Sequence, residues 1–220
     1  MTDTPMSELA RLGVATVYEA GASAGLIDLD LRQVVLGSRA AGSARTVHCG
    51  QDDNLMVHAV IAAAQPGDVL VLTMPEPAPV ALVGELLATQ AQAWGVAAIL
   101  VDAAVRDVVE LRALGLPIWA CWVRVRGAPK AIPGELQAPI AVGGATIRPG
   151  DVIVLDADGA VVVAAERVEA VLEASLAREA RETGLRAAFA AVQLSIDVYN
   201  PRDAVRAQLA PAGQDERSTP

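Results

Sequence analysis

Lysine is almost missing from this chain: Lys130 is the only one among 17 Lys and Arg residues in a sequence of 220. Aromatic residues make up 3%, and histidine and cysteine occur twice each. The two histidines, His48 and His58, and the two cysteines, Cys49 and Cys121, stand at no spacing that would assemble a zinc cluster. Both cysteines fall at strand-like positions and read as small buried residues rather than nucleophiles. His48 and His58 read as packed or surface side chains. Lys130 lies in the loop Gly127-Ala128-Pro129-Lys130 and reads as a surface lysine, outside the apolar pocket that would depress its pKa. The formal charge is −9 with the arginines scattered, so the basic patch that nucleic acid requires is absent and no nucleic-acid partner is expected. No apolar run approaches the ~20 residues of a membrane span, and Met1 to Met6 carries neither a basic nor an apolar leader. A cytoplasmic protein with no membrane partner is expected. No Gly-x-Ser-x-Gly elbow is present.

What the chain does have is alanine and valine, within a hydrophobic content of 53%. That is enough for one domain over residues 1–209 with a core of small side chains and closely packed helices, followed by a disordered tail over 210–220. Pro-Gly-Asp-Val-(Leu/Ile)-Val occurs twice, at 66–71 and 149–154, each a turn feeding a β-rich run. A helix is expected from Asn54 to Ala64, capped by Asp53. Asp156-Ala157-Asp158-Gly159 reads as a hairpin turn into a strand from Ala160 to Val163. A helix is expected from Glu166 to Ala191, kinked or divided at Gly184. Strands and helices alternate in the middle of the chain while later strands crowd together, which points to a mixed α/β layered fold.

The most informative stretch runs from Gly84 to Asp107. Glu85 is followed by twenty residues and then by Arg106-Asp107. Glu85 to Trp94 has helical apolar spacing that Gly95 ends, Ala97 to Val101 reads as a buried strand, and Asp107 opens a second helix that Gly115 and Pro117 stop. The first helix start offers free N–H groups to an anion, and Arg106 offers a bidentate fork for a carboxylate. An Arg-Asp pair at such a junction also serves as a plain helix cap with a solvated neighbour. Asp102, at the expected strand end, either orients Arg106 or caps the turn.

This stretch resembles the signature of the class II pyruvate aldolases that cleave 4-hydroxy-4-methyl-2-oxoglutarate and 4-carboxy-4-hydroxy-2-oxoadipate. The same family contains the regulator of ribonuclease activity A. Gly13 to Ala20, Asp53 to His58, Pro66 to Val71, Arg148 to Val154 and Asp158 to Val163 look like family segments in family order, so the resemblance covers roughly residues 9–205. The ending Ser195-Ile196-Asp197-Val198-Tyr199-Asn200-Pro201-Arg202 is similar to the carboxy-hydroxy-oxoadipate branch, although the family's preceding Gly-Glu-Leu-Gly reads here Val192-Gln193-Leu194-Ser195.

The resemblance implies an α/β fold, an αββα layered sandwich of the swivelling phosphohistidine-domain type, assembled as a homotrimer or homohexamer. Cleaving a carbon-carbon bond beside a pyruvyl group needs an electron sink, either a lysine Schiff base or a divalent cation. With Lys130 alone in a loop, the metal route stays open, and a single carboxylate suits Mg2+ or Mn2+. By resemblance, Asp107 is the metal ligand. Arg106 binds the pyruvyl carboxylate and keto oxygen, and Gly84, Glu85, Leu86 and Leu87 form the rest of the substrate cradle with their backbone. Glu85 falls where the family places the acid that hydrogen-bonds a metal-bound water, the proton acceptor from the substrate's hydroxyl, and it is one methylene longer than the Asp of related aldolases. Glu182 matches a glutamate that an adjacent subunit donates, and it equally fits an i,i+4 pair with Arg186. The expected function is therefore metal-dependent cleavage of such a 2-oxo acid to pyruvate and a second 2-oxo acid, with oxaloacetate decarboxylation. The alternative is a non-catalytic, protein-binding regulator of a ribonuclease.

Overall fold

The computed structural model describes residues 4–199, so the expected tail and the Asn200-Pro201-Arg202 ending lie outside the described residues. Helices α1 (Pro5–Leu12) and α2 (Val14–Ala20) precede the two-residue strands β1 (Leu26–Ile27) and β2 (Arg32–Gln33) and the long strand β3 (Ala40–His48). Next come α3 (Leu55–Ala63), β4 (Val69–Thr73), β5 (Ala81–Val83), α4 (Glu85–Ala93), β6 (Ala98–Val105), α5 (Val108–Leu114) and β7 (Ile118–Val123). Strands β8 (Glu135–Leu136), β9 (Ile140–Val142), β10 (Ala145–Ile147), β11 (Val152–Asp156) and β12 (Gly159–Val163) are followed by α6 (Val168–Ala190) and α7 (Ser195–Val198). The chain divides into two compact units, residues 1–179 and 180–220.

In the first unit, β3 belongs to two sheets. Its first half, Ala40–Ser43, pairs antiparallel with β11, which pairs in turn with β12. Its second half, Ala44–His48, pairs parallel with β4, and the order continues through β6 and β7 to β2. The strand changes sheets beside the Pro66-Gly67 turn, where a Cβ on Gly42 would collide with the Gly67 carbonyl. Only a residue without a side chain lets the two backbones approach there.

Alternation along the strands distributes their apolar side chains into three cores, as a period of two requires. Leu70, Leu72, Ile99, Val101 and Ile118 pack under α3, α4 and α5. Their neighbours Val69, Val71, Ala98, Leu100 and Trp119 face inward and meet Ile153, Leu155, Ala160 and Val162 of the antiparallel sheet. Val152, Val154, Val161 and Val163 face the other way, onto α1, α2 and Val171 of α6. The result is four layers, helix–sheet–sheet–helix. Small residues set the spacing: α4 buries Ala88 and Ala91, so it lies close on the sheet.

Both Pro-Gly-Asp segments form the same turn. Gly67 and Gly150 each have φ +90°, and the Asp68 and Asp151 amides return to the carbonyls of Gln65 and Arg148. Pro followed by a left-handed Gly is the signature of a type II turn. The Asp carboxylates close it from outside, accepting from the Gln65 and Arg148 amides at 2.8 Å each.

Three local expectations change. Helix α3 starts after Asn54, and Asp53 acts one residue earlier, its Oδ1 accepting from the Leu55 amide at 2.8 Å. The last long helix opens with a 3-10 turn, Ala165–Arg167, and α6 then runs through Gly184 without a break. Strand β6 does not stop at Val101 but continues to Val105, with Asp102 buried inside it.

Trp119 is the largest fully buried side chain between the sheets, and its Nε1 donates to the Asp156 carbonyl at 2.8 Å. Trp119→Ala should cost about 3–5 kcal/mol, the usual range for an emptied aromatic site. The melting temperature should fall by roughly 6–20 °C. A thermal melt displaced by under ~2 °C would mean that the two sheets do not depend on this contact.

Candidate active site

The site is built at the two chain corners that follow β5 and β6. Parallel strands leave both corners at one edge of the sheet, and the Arg106 amide donates to the Val83 carbonyl at 3.1 Å. Asp107 caps α5 from a left-handed backbone, φ 59° and ψ 44°, a conformation that short polar side chains tolerate better than most. That turn aims its carboxylate at the start of α4, where Oδ2 accepts from the Glu85 amide at 3.1 Å. Gly84 has no side chain with which to cap α4, so the cap comes from a residue more than twenty positions away. The Leu86 and Leu87 amides, in the first turn of α4, have no partner in the helix ladder and remain available to an anion.

Arg106 threads between two glycines. A Cβ on Gly84 would stand 2.5 Å from Asp107 Oδ2 and 3.1 Å from Arg106 Nε, and one on Gly127 would overlap Arg106 Nη1. Arg106 Nε lies 3.6 Å from Asp107 Oδ2, with the two side chains 49% and 41% exposed. At that exposure the pair contributes little to stability by itself, which leaves both groups available to a ligand.

Beneath them is a cavity of about 230 Å³ lined by Gly84, Leu86, Leu87, Arg106 and Asp107, together with Asn54, His58 and Lys130. The last three were not legible as site residues. Asn54 and His58 lie one turn apart at the start of α3, a spacing that puts both on one helix face. The loop carrying Lys130 is pinned to that same helix start. Asp53 is fully buried, with its Oδ2 accepting from Ala131 N at 2.7 Å, and the Asn54 amide donates to the Pro129 carbonyl at 3.0 Å. Burial opposes the charge on Asp53, but the amides of Leu55, Ala131 and Ile132 outweigh it and hold its carboxyl below the usual carboxylate range. The contact between these loops spans more than seventy residues, so no local pattern announces it.

Gly84, Leu86, Leu87, Arg106 and Asp107 thus come together as the sequence suggests. The Glu85 main chain joins them, while its carboxylate lies along α4, outside the cavity lining, accepting from Thr89 Oγ1 at 3.0 Å. Glu182 lies in the second unit and pairs with Arg186 at 3.1 Å.

Asp102 neither orients Arg106 nor caps the turn. It accepts from Thr73 Oγ1 at 3.3 Å and Cys121 Sγ at 3.4 Å, facing a separate cavity lined by Asp30 and Gly143 among others. Burial pushes its carboxyl above the ordinary range. Burial likewise pushes the Cys121 thiol, helped by Asp102, and the Cys49 thiol up to about 12, so neither is a nucleophile at neutral pH.

For a divalent ion, the donor chemistry is that of one hard carboxylate at a cavity mouth. Asp107 fits Mg2+ or Mn2+ bound through a single protein oxygen, with water and ligand oxygens completing the shell. No group of three His, Cys, Asp or Glu side chains suited to a metal occurs among the described residues, which rules against a closed cage built from them. Among the same residues, no helix is long and apolar enough to cross a membrane.

Comparison with known proteins agrees with this architecture. The Aldolase/RraA family profile, described as RraA-like, matches residues 14–162. A Halalkalibacterium halodurans protein named "Putative 4-hydroxy-4-methyl-2-oxoglutarate aldolase" is 34% identical over 158 residues, 72% of this chain and 75% of that protein. Among solved structures, Streptomyces coelicolor RraAS2, titled an unusual member of the RNase ES inhibitor RraA protein family, is 30% identical with a TM-score of 0.72, covering 81% of this chain and 94% of its own. An uncharacterized Pseudomonas syringae protein shares the fold at 24% identity and a TM-score of 0.76, over 86% of this chain and 94% of its own. The chain belongs to the Aldolase/RraA family.

The Asp102 carboxyl gives a stability test. Its folded pKa is raised, so its favourable contribution is present at low pH and is lost as pH rises through that pKa. Asp102→Asn removes the ionisation, so the melting temperature of the variant relative to wild type should climb as pH rises above about 4, the ordinary Asp value, and level off once the folded carboxyl has ionised. A difference that stays flat with pH would show that Asp102 ionises without cost.

Proposed function

We propose that the protein is a divalent-metal-dependent pyruvate aldolase. It would cleave 4-hydroxy-4-methyl-2-oxoglutarate or 4-carboxy-4-hydroxy-2-oxoadipate to pyruvate and a 2-oxo acid, and would also decarboxylate oxaloacetate. The observation that carries this reading is the meeting of the Arg106 fork, the Asp107 carboxylate and the α4 N-terminus around one cavity. The relative named as an aldolase for the first of these substrates supports it.

In this reading Arg106 holds the pyruvyl carboxylate through paired N–H donors, and the Leu86 and Leu87 amides complete the cradle. Asp107 would hold Mg2+ or Mn2+, and the bound ion would supply Lewis-acid polarisation of the substrate's keto carbonyl. By likeness to the family Glu85 would take the proton from the substrate hydroxyl through water, which requires its carboxylate to leave Thr89 Oγ1 and turn toward the cavity. Decarboxylation of oxaloacetate uses the same cradle because loss of carbon dioxide leaves the same pyruvate enolate. The protein is a homotrimer or homohexamer in the same reading, with Glu182 serving a neighbouring site.

A second reading, a protein-binding regulator of a ribonuclease, is favoured by the surface beside the site. Leu86, Val109 and Val125 are 81%, 74% and 91% exposed, and the two valines line an open groove with Arg106 and Asp107. Apolar exposure around a charged pair suits a protein partner. Capture of a ribonuclease without pyruvate production would favour it.

Pyruvate release, coupled to lactate dehydrogenase, should be seen with both hydroxy acids and with oxaloacetate, vanish in EDTA and return with Mg2+ or Mn2+. Arg106→Ala should lower turnover by on the order of 10²- to 10³-fold, the usual loss of a positioned charge at a developing oxyanion. Full activity in chelator, or an Arg106→Ala enzyme as fast as wild type, would overturn the assignment.

A further inference from the structure

The charged side chains that line the cavity beneath the start of α4 are Arg106, Asp107 and Lys130. Asp107 is held at the mouth by the Glu85 amide, and Arg106 is confined between Gly84 and Gly127. Lys130, the only lysine of the chain, is exposed and has no role in the reading above.

The backbone that carries Lys130 is fixed on both sides. The Ala128 amide donates to the Ala81 carbonyl at 3.3 Å, the Pro129 carbonyl accepts from the Asn54 amide at 3.0 Å, and the Ala131 amide donates to Asp53 Oδ2 at 2.7 Å. The loop starts at Gly127, against the Arg106 guanidinium. Three residues span at most about 10 Å, so Lys130 stands within reach of the same small ligand as Arg106. Its ammonium is left over. Among the described residues it makes no hydrogen bond or ion pair. It is attracted to Asp53, but that carboxylate is fully buried and already accepts from the Leu55, Ala131 and Ile132 amides. A compact charge with three donors on a flexible stem, and with no protein partner, is free to meet an anion.

Both hydroxy acids of the proposed reaction carry a carboxylate at C1 and another on C4, so the bond to be broken lies between two negative groups. Arg106 takes the first. The second would enter the cavity unpaired, which costs free energy, and Asp107 would repel it. We propose that Lys130 is a specificity-determining residue whose ammonium binds the carboxylate on C4 of the substrate. The proposal rests on the aldolase reading, in which Arg106 holds the other end. Lys130 then selects acids with two correctly spaced carboxylates over those with one, and it keeps hold of the second 2-oxo acid after the carbon-carbon bond breaks.

2-Oxoglutarate is the probe, because it has both carboxylates and the keto group yet lacks the 4-hydroxyl that cleavage requires. In calorimetry with Mg2+, wild type should bind it more tightly than pyruvate by on the order of 10- to 10²-fold, the usual worth of a hydrogen bond to a charged group. Lys130→Met keeps the stem and loses the charge. It should erase that preference while its pyruvate Kd stays within about threefold and its melting temperature is unchanged. Lys130→Arg should retain most of the preference. In turnover, Lys130→Met should raise KM for 4-hydroxy-4-methyl-2-oxoglutarate by a similar factor with kcat within about threefold, the pattern of lost ground-state binding. Equal binding of the two acids by wild type, a preference that survives in Lys130→Met, a Lys130→Arg protein no better than Lys130→Met, or a parallel loss of pyruvate binding would overturn the proposal. A wild-type protein that binds neither acid would instead overturn the aldolase reading beneath it.

Discussion

One hydrogen bond sets the geometry of the whole candidate site: the Glu85 amide to the Asp107 carboxylate at 3.1 Å. It joins the beginning of α4 to the corner between β6 and α5, and it exists only because Asp107 adopts a left-handed backbone and Gly84 has no side chain. A carboxylate at a helix N-terminus satisfies an unpaired amide and meets the positive end of the helix, contributing about 1 kcal/mol. Its larger effect is geometric. With Asp107 held to Glu85, Arg106 is confined between Gly84 and Gly127 and must present its guanidinium at the cavity mouth. The parallel pairing of β5 and β6 brings both corners to one sheet edge, where open α/β sheets gather ligands.

The sequence was readable wherever the physics is local. The type II turns at Gly67 and Gly150 follow from Pro-Gly-Asp, and helix α4 follows from apolar spacing ended by Gly95. The spacing from Glu85 to Arg106-Asp107 was readable too, since strand, helix and turn lengths fix where the two corners fall. Asp102 misled because a carboxylate after Ala97–Val101 looks like a strand end. Its partners Thr73 and Cys121 come from the flanking strands β4 and β7, and only the assembled sheet shows that a buried carboxyl is held there. Asn54 and His58 escaped notice for a similar reason. Nothing near them in sequence marks a site, and their place on the wall depends on Asp53 binding a loop more than seventy residues away.

Both readings of the family converge on the same edge of the sheet. The cavity below Arg106 offers charge and amides on a scale that suits a small acid, whereas the groove beside it offers valines to a larger partner. These features are adjacent rather than exclusive, so a chain able to do chemistry in the first could also dock through the second. What separates the readings is whether the cavity holds a 2-oxo acid through a cation.

Calorimetric titration of pyruvate into wild type and Gly84→Ala, each with and without Mg2+, measures that directly. The account predicts binding to wild type that weakens at least about tenfold without the metal. It predicts a comparable loss in Gly84→Ala even with metal, because the added Cβ displaces the Asp107 carboxylate from the Glu85 amide. Pyruvate binding that ignores Mg2+, or a Gly84→Ala protein that binds as wild type does, would contradict it.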